Sequence, residues 1–208
     1  KYLSGENPLL YTIMFENLDT ATAAAQEVVI TDHLDTAKMD MNTLSLGPIT
    51  FGGHQVVPPS GSNEYSTEVD LRPEKELIVK IKANLDKATG ALSWRFTCVD
   101  PETGEFPEDP LAGFLPPNVN PPEGEGSVLF TIMPRQNLPT GTEIRNKAEI
   151  VFDENAPIET PEWLNTIDNN KPQSNVLSLA STQNSASFLV QWQGTDEGSG
   201  IGDYTIYV

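Results

Sequence analysis

Apolar and polar residues alternate with a period of two through most of this chain, and that pattern constrains the fold more than any other feature. Tyr11, Ile13 and Phe15 alternate with Thr12, Met14 and Glu16, and Val28 and Ile30 alternate with Glu27, Val29 and Thr31. Leu77, Val79, Ile81 and Ala83 oppose Lys80, Lys82 and Asn84. Ile144, Ala148, Ile150 and Phe152 oppose Glu143, Arg145, Lys147 and Glu149. Successive side chains of a strand point to opposite faces, so this period marks strands with one face buried. No stretch carries a helical period, and the small-residue run 21–25 reads as a connection. The pattern predicts strands over residues 9–17, 26–32, 42–51, 66–71, 76–85, 91–99, 127–133, 143–153, 176–180, 187–193 and 203–208. Asp32 reads as the last residue of the second of these, where an Asp-containing turn begins. Many short strands separated by Gly, Pro, Asn and Asp predict an all-β chain built as a β-sandwich.

Charge and cysteine content narrow the environment. The 30 acidic residues against 12 basic ones give a formal charge of -18. Such a surface repels phosphate backbones and anionic membranes, which argues against nucleic acid as a partner and against membrane insertion. Divalent cations are its natural counter-partners; plain solubility is the alternative reading of the acidity. The one cysteine, Cys98, shares strand parity with Leu92, Trp94 and Phe96 and reads as a small buried hydrophobe. A single cysteine forms no internal disulfide. A secreted protein without disulfides fits a bacterial exterior better than an animal one. No apolar run reaches the roughly 18 residues of a transmembrane helix, and no signal peptide is present. Lys1 opens the chain without a methionine and Val208 ends it inside a predicted strand, so both ends read as cut from a longer polypeptide.

Polar turn formers and a proline cluster in NTIDNNKP, residues 165–172. That composition places a domain boundary there, after the last strand of a first domain spanning 1–168. Residues 169–208 are fewer than the roughly 100 of a complete sandwich. Their open sheet would need cover from the first domain, another chain or further sequence.

Three segments resemble known bacterial modules. YTIMFENLDTATAAAQEVVITDHL is similar to the opening strand pair of the conserved repeat domains of bacterial cell-surface proteins, through Tyr11, Thr12, Ile13, Asn17, Val28, Asp32 and Leu34. LPTGTEIRNKAEIVFDENAPIETPEWLNTID resembles their closing segment, notably at Gly141, Ile144, Asn146, Ala148, Ile150, Asp153, Asn155, Asn165 and Asp168. The two ends bracket the first domain. The tail, SFLVQWQGTDEGSGIGDYTIYV, resembles the start of a fibronectin type III-like module, with Trp192 as its core tryptophan. The resemblance implies an immunoglobulin-like β-sandwich followed by a partial second unit, in a large secreted or cell-surface protein. It implies spacing, adhesion or display, often with calcium, and no catalytic residues.

Four places carry candidate chemistry. The connection 100–126, DPETGEFPEDPLAGFLPPNVNPPEGEG, is long, acidic and free of basic residues. Loops of this length in a compact domain are usually functional or disordered. Calcium takes six to eight oxygen ligands, and Asp100, Glu102, Thr103, Glu105 and Asp109 would supply several, though not in EF-hand spacing. The alternative is a proline-stiffened lid that packs Leu111, Phe114 and Leu115 onto the sandwich. In DEGSGIGD, Asp196, Glu197 and Asp203 would meet across a glycine turn as a second calcium site, or stay solvated. Asp153 and Glu154 in FDENAPI read as a local turn cap. Among the three tryptophans, Trp94 and Trp192 share parity with apolar neighbours and read as core. Trp163, flanked by polar residues in TPEWLNT, reads as an exposed aromatic able to contact carbohydrate.

Catalytic patterns are weak. His33 and His54 lie by predicted turns without further ligands at zinc spacing, and no nucleophile elbow is present. The expectation is therefore a non-catalytic structural or adhesive module, spacing neighbouring domains of its own polypeptide and stiffened by calcium. A calcium-dependent module binding polysaccharide or a cell surface is the alternative, and a hydrolase is a distant third.

Overall fold

The computed structural model describes residues 1–207. Among them there is no helix, and fifteen strands follow in chain order. The first five are β1 (Tyr2–Leu3), β2 (Leu9–Glu16), β3 (Glu27–His33), β4 (Met39–Phe51) and β5 (His54–Val56). Then come β6 (Glu64–Asp70), β7 (Ile78–Asp86), β8 (Ala91–Val99), β9 (Glu125–Pro134) and β10 (Glu143–Asn146). The last five are β11 (Ala148–Phe152), β12 (Ile158–Glu159), β13 (Trp163–Ile167), β14 (Gln173–Val176) and β15 (Trp192–Thr195).

Two antiparallel sheets form a β-sandwich. One has four strands in the order β2-β9-β4-β5, and the other has six in the order β12-β11-β3-β8-β7-β6. Their inner faces meet through aromatic rings: Phe15 on Phe96 at 5.4 Å, Trp94 on Phe130 at 5.8 Å, and Phe51 on Phe96 at 5.9 Å. A small sheet, β1-β13-β10, adds the buried Ile144 and Ile167 to the same core. Fully burying one such side chain contributes about 1.5–3 kcal/mol, so this alternating inner face is the main source of stability. Cys98 is buried among these residues, and burial pushes its thiol up to about 11.

Four differences from the sequence reading matter for function. The similar opening segments, now β2 and β3, do not pair; they lie in different sheets and face each other across the core. Asp32, read at the start of a turn, lies within β3, fully buried on the same side as Val28 and Ile30. The predicted strand 143–153 is two strands in two sheets, because the chain changes partner at Lys147. Ile144, Asn146, Ala148 and Ile150 nevertheless stay buried in unbroken alternation. Finally, residues 163–167 form a strand that runs into the predicted boundary segment 165–172.

The connection 100–126 is an ordered lid over one end of the sandwich. Ala25 N donates to Leu115 O and Phe114 N donates to Ala25 O. Phe114 stacks on Phe96 and meets Phe51 edge-on. Gly113 is required there, since a Cβ would lie 2.4 Å from the Ala25 carbonyl oxygen. Leu111, expected to pack with Phe114 and Leu115, is exposed instead. The Asn17 amide donates to Ala23 O and Leu115 O, and Asn118 donates to the carboxylates of Glu16 and Glu125.

Past Asp168 the chain forms the antiparallel pair β14-β15. Trp192 packs edge-on against Tyr204 but stays exposed, contrary to its expected core role. Two strands cannot bury both of its faces. Of the strand predicted over 203–208, residues 203–207 have no strand structure, and Val208 lies outside the described residues.

Candidate functional site

A groove of about 400 Å³ runs between β2 and the β10-β13 pair, with Trp163 as its far wall. In the antiparallel register Trp163 lies directly opposite Asn146, so the two side chains share a face of the small sheet. That face is the inner one: Ile144, Asn146, Asn165 and Ile167 on it are buried. Trp163 ends the row beyond the cover of the sandwich and stays 58% exposed. A core-facing aromatic has thus been left open to solvent.

The floor of the groove is polar and buried. Asn146 Nδ2 donates to Asp32 Oδ2 at 2.7 Å. Asp32 Oδ1 is buried with no hydrogen-bond partner. Burial pushes the Asp32 carboxyl up to about 6, against the opposing pull of Asn146 and His33. Beside it, burial pushes the Tyr11 phenol up to about 12; the Asn165 amide, 3.5 Å from the hydroxyl, pulls the other way, and the Asp32 charge adds to the rise. Tyr11 is held by stacking on Phe130 at 5.1 Å. The groove lining contains this one carboxylate and neither histidine. His54 stacks on Phe51, and His33 is exposed at the end of β3.

The residues predicted as calcium ligands lie elsewhere. Asp100, Glu102, Thr103 and Asp109 line a second groove of about 670 Å³ beside the lid; Glu105 is not among its lining. Asp100 Oδ1 is turned inward on its own loop, accepting from the backbone N–H groups of Glu102 and Thr103, and these bonds hold its carboxyl below the usual range. Asp109 Oδ1 likewise accepts from Leu111 N. Among the described residues no three His, Cys, Asp or Glu side chains are grouped as metal ligands.

In the tail, Asp196 closes its own turn by accepting from Gly198 N and Gly200 N through Oδ2. Asp203 is exposed, and the turn also receives Asp168, the residue that follows β13. Asp168 Oδ2 accepts from Ser199 N at 2.7 Å, and a Cβ on Gly198 would lie 2.2 Å from the Asp168 Cγ. Asp168 Oδ1 and Asp196 Oδ1 are both buried without a partner. Glu197 turns away and accepts from the Asn170 amide. Asp153, expected to cap its own turn, instead accepts from Gln26 N and Glu27 N, tying β11 to the start of β3.

Sequence reasoning read Trp163 as exposed, which it is, and missed the groove's floor. Asp32 was legible from its parity with Val28 and Ile30, and Asn146 from its parity with Ile144 and Ala148. The usual placing of Asp at turns outweighed that signal. Asp168 carried no local signal, because its partner turn is about thirty residues away in sequence.

A family model described as a domain of unknown function (DUF7619) matches residues 2–57 and 112–166. The stretch it skips carries β6, β7 and β8. No curated protein matches the chain. Among solved structures, the chain is similar to the collagen-binding domain from a Staphylococcus aureus adhesin, at 10% identity over 80% of this chain and 92% of that one, with a TM-score of 0.39. It is also similar to the C-terminal domain of the Streptococcus agalactiae AgI/II polypeptide BspA, at 13% identity over 79% of this chain and 43% of that one, with a TM-score of 0.37.

Proposed function

Because the chain belongs to the DUF7619 family of domains of unknown function, we propose from its own geometry that it is a non-catalytic adhesive module of a bacterial cell-surface or secreted protein. It meets an external ligand at the groove walled by Trp163. The observation that carries this reading is the tryptophan itself: an inner-face indole, 58% exposed, above a polar floor. Exposed aromatics beside convergent hydrogen-bonding groups are favoured contact points, and such residues dominate binding energy when they are covered. A polysaccharide stacking on the indole is the second reading, favoured by the same exposure.

The test is binding of the purified chain to arrays of glycans and peptides, with calcium present. Trp163→Ala is expected to lose about 2 kcal/mol or more of binding free energy. Its thermal melt should stay close to that of the parent, because surface changes are usually within about 0.5 kcal/mol. Blank arrays with the parent chain would argue against an adhesive role.

The same reading gives the chain a second task, spacing neighbouring domains of its polypeptide. The tail, with its fibronectin type III-like sequence, is held to the sandwich where the 196–200 turn closes on Asp168. Calcium belongs to this task. Of all the predicted ligands only Asp196 has an unpartnered buried oxygen, and Asp168, which reaches the same turn through Ser199 N, supplies another. Calcium there would neutralise two carboxylates and stiffen the connection. A chelator is then expected to lower the melting temperature by several degrees, and Asp168→Asn to remove that response. A melt indifferent to both calcium and chelator would end the calcium part of the proposal.

A further inference from the structure

Strand β2 ends the order β2-β9-β4-β5, so only one of its sides is paired. That side is bonded to β9 along its whole length, from Leu9 opposite Ile132 to Glu16 opposite Glu125. On the other side, no hydrogen bond from another segment reaches the backbone of residues 9–16 among the described residues. Half of the backbone N–H and C=O groups of this eight-residue strand therefore face outward, ready to pair.

Natural sheets blunt such edges with charges, prolines or short length. Among the described residues, the other edges of the two large sheets follow that rule. β6 carries Glu64, Glu68 and Asp70, β5 has three residues, and β12 has two. β2 alone is long and, from Leu9 to Phe15, has neither a charge nor a proline. Its outer side chains Leu10 and Met14 are 63% and 75% exposed. An unblunted edge kept next to a groove is the feature to explain.

The groove explains it. Residues 10–14 of β2 form its near wall along their full run, and Thr160, Pro161 and Trp163 form the far wall. The free edge and the exposed indole thus face the same channel. We infer that this channel takes an extended polypeptide segment of another protein, which adds to β2 as a fifth strand of its sheet, with Trp163 packing on its inward side chains. This deepens the adhesive reading above and rests on it.

Main-chain pairing supplies affinity in such strand addition, and alternate side chains supply specificity. The outward residues of the segment would cover Leu10 and Met14, so every second position should be apolar. The chain carries a formal charge of -18, so charge complementarity calls for a net basic segment. The same charge opposes pairing of β2 with β2 of a second copy. A sugar chain has no regular row of donors and acceptors to match a strand edge, which favours a peptide over the polysaccharide reading.

A randomised peptide library displayed on phage, selected on the immobilised chain, tests this. Selected peptides should alternate apolar residues and carry net positive charge, and a proline placed at their centre should abolish binding. Leu10→Lys with Met14→Lys should weaken the selected peptide roughly tenfold or more, by blunting the edge and repelling a basic segment, while the melt is unchanged. Leu10→Glu with Met14→Glu should weaken it less than the lysine pair, because attraction for a basic segment offsets part of the lost apolar contact. Binding of a peptide should also slow hydrogen exchange at β2 amides. Strand addition is overturned if the selected peptides lack alternation, tolerate proline, or ignore the lysine pair. It is also overturned if the chain dimerises through β2, since a second copy is then the occupant. A glycan that binds, depends on Trp163 and ignores the lysine pair would sink strand addition and keep the adhesive reading. No binding of peptide or glycan would sink both.

Discussion

Trp94→Ala is expected to lower stability by about 3–5 kcal/mol, the usual cost of truncating a large buried aromatic. Trp94 is fully buried at the centre of β8, the strand whose Phe96 also anchors the lid through Phe114. Its ring lies 5.8 Å from Phe130 of the facing sheet, so its removal opens a cavity between both layers. The indole Nε1 is buried without a hydrogen-bond partner, a defect that costs about 1–3 kcal/mol. Trp94→Phe removes that unpaired donor while keeping most of the apolar volume, and should cost far less than the alanine change. Urea denaturation of the three proteins checks this. A small effect of Trp94→Ala would mean that β8 does not lie at the centre of the core.

Asp32→Asn is expected to stabilise the protein at neutral pH, with a gain that disappears in acid. The folded state raises the Asp32 carboxyl from its ordinary value of 3.8 to about 6, chiefly by burial. Between these values the folded protein keeps a proton that the unfolded chain has lost. Stability therefore falls as pH rises through this window and levels off above it, where the folded state holds a buried charge. The full penalty is roughly 3 kcal/mol at neutral pH. An asparagine carries no such penalty, and its carbonyl oxygen still accepts from the Asn146 amide. Several other carboxyls, among them Asp70 and Asp100, are shifted downward and give the opposite slope. Those contributions are common to both proteins, so the difference between variant and parent isolates Asp32. Paired melts from pH 4 to pH 8, roughly spanning the window, should diverge as pH rises. Parallel curves would show that Asp32 is not held as a buried ion. Its retention at a cost to stability is consistent with a role in the groove that it floors.

Much of the fold was written in the alternation. Every inward position of β2, β7 and β8 was legible, as was the burial of Cys98 and Trp94, because a period of two reports which face loses water. The change of sheet at Lys147 was not legible. Ile144, Asn146, Ala148 and Ile150 face one core on both sides of it, so the pattern runs on while the hydrogen-bonding partner changes. For the candidate site, local polarity exposed Trp163. Asp32 was hidden by the habit of reading Asp as a turn former.

By itself, then, the sequence determined an all-β chain, the inward face of most strands, and one open tryptophan. Only the tertiary structure decided which strands pair, where the core stops short of Trp163, and that β2 ends its sheet. The reason is physical. Side-chain polarity is local and can be read along the chain. Backbone hydrogen bonds are nearly the same for every strand, so strand order follows from how the whole set of inner faces packs together. An open edge is a property of that order, and so is the groove beside it.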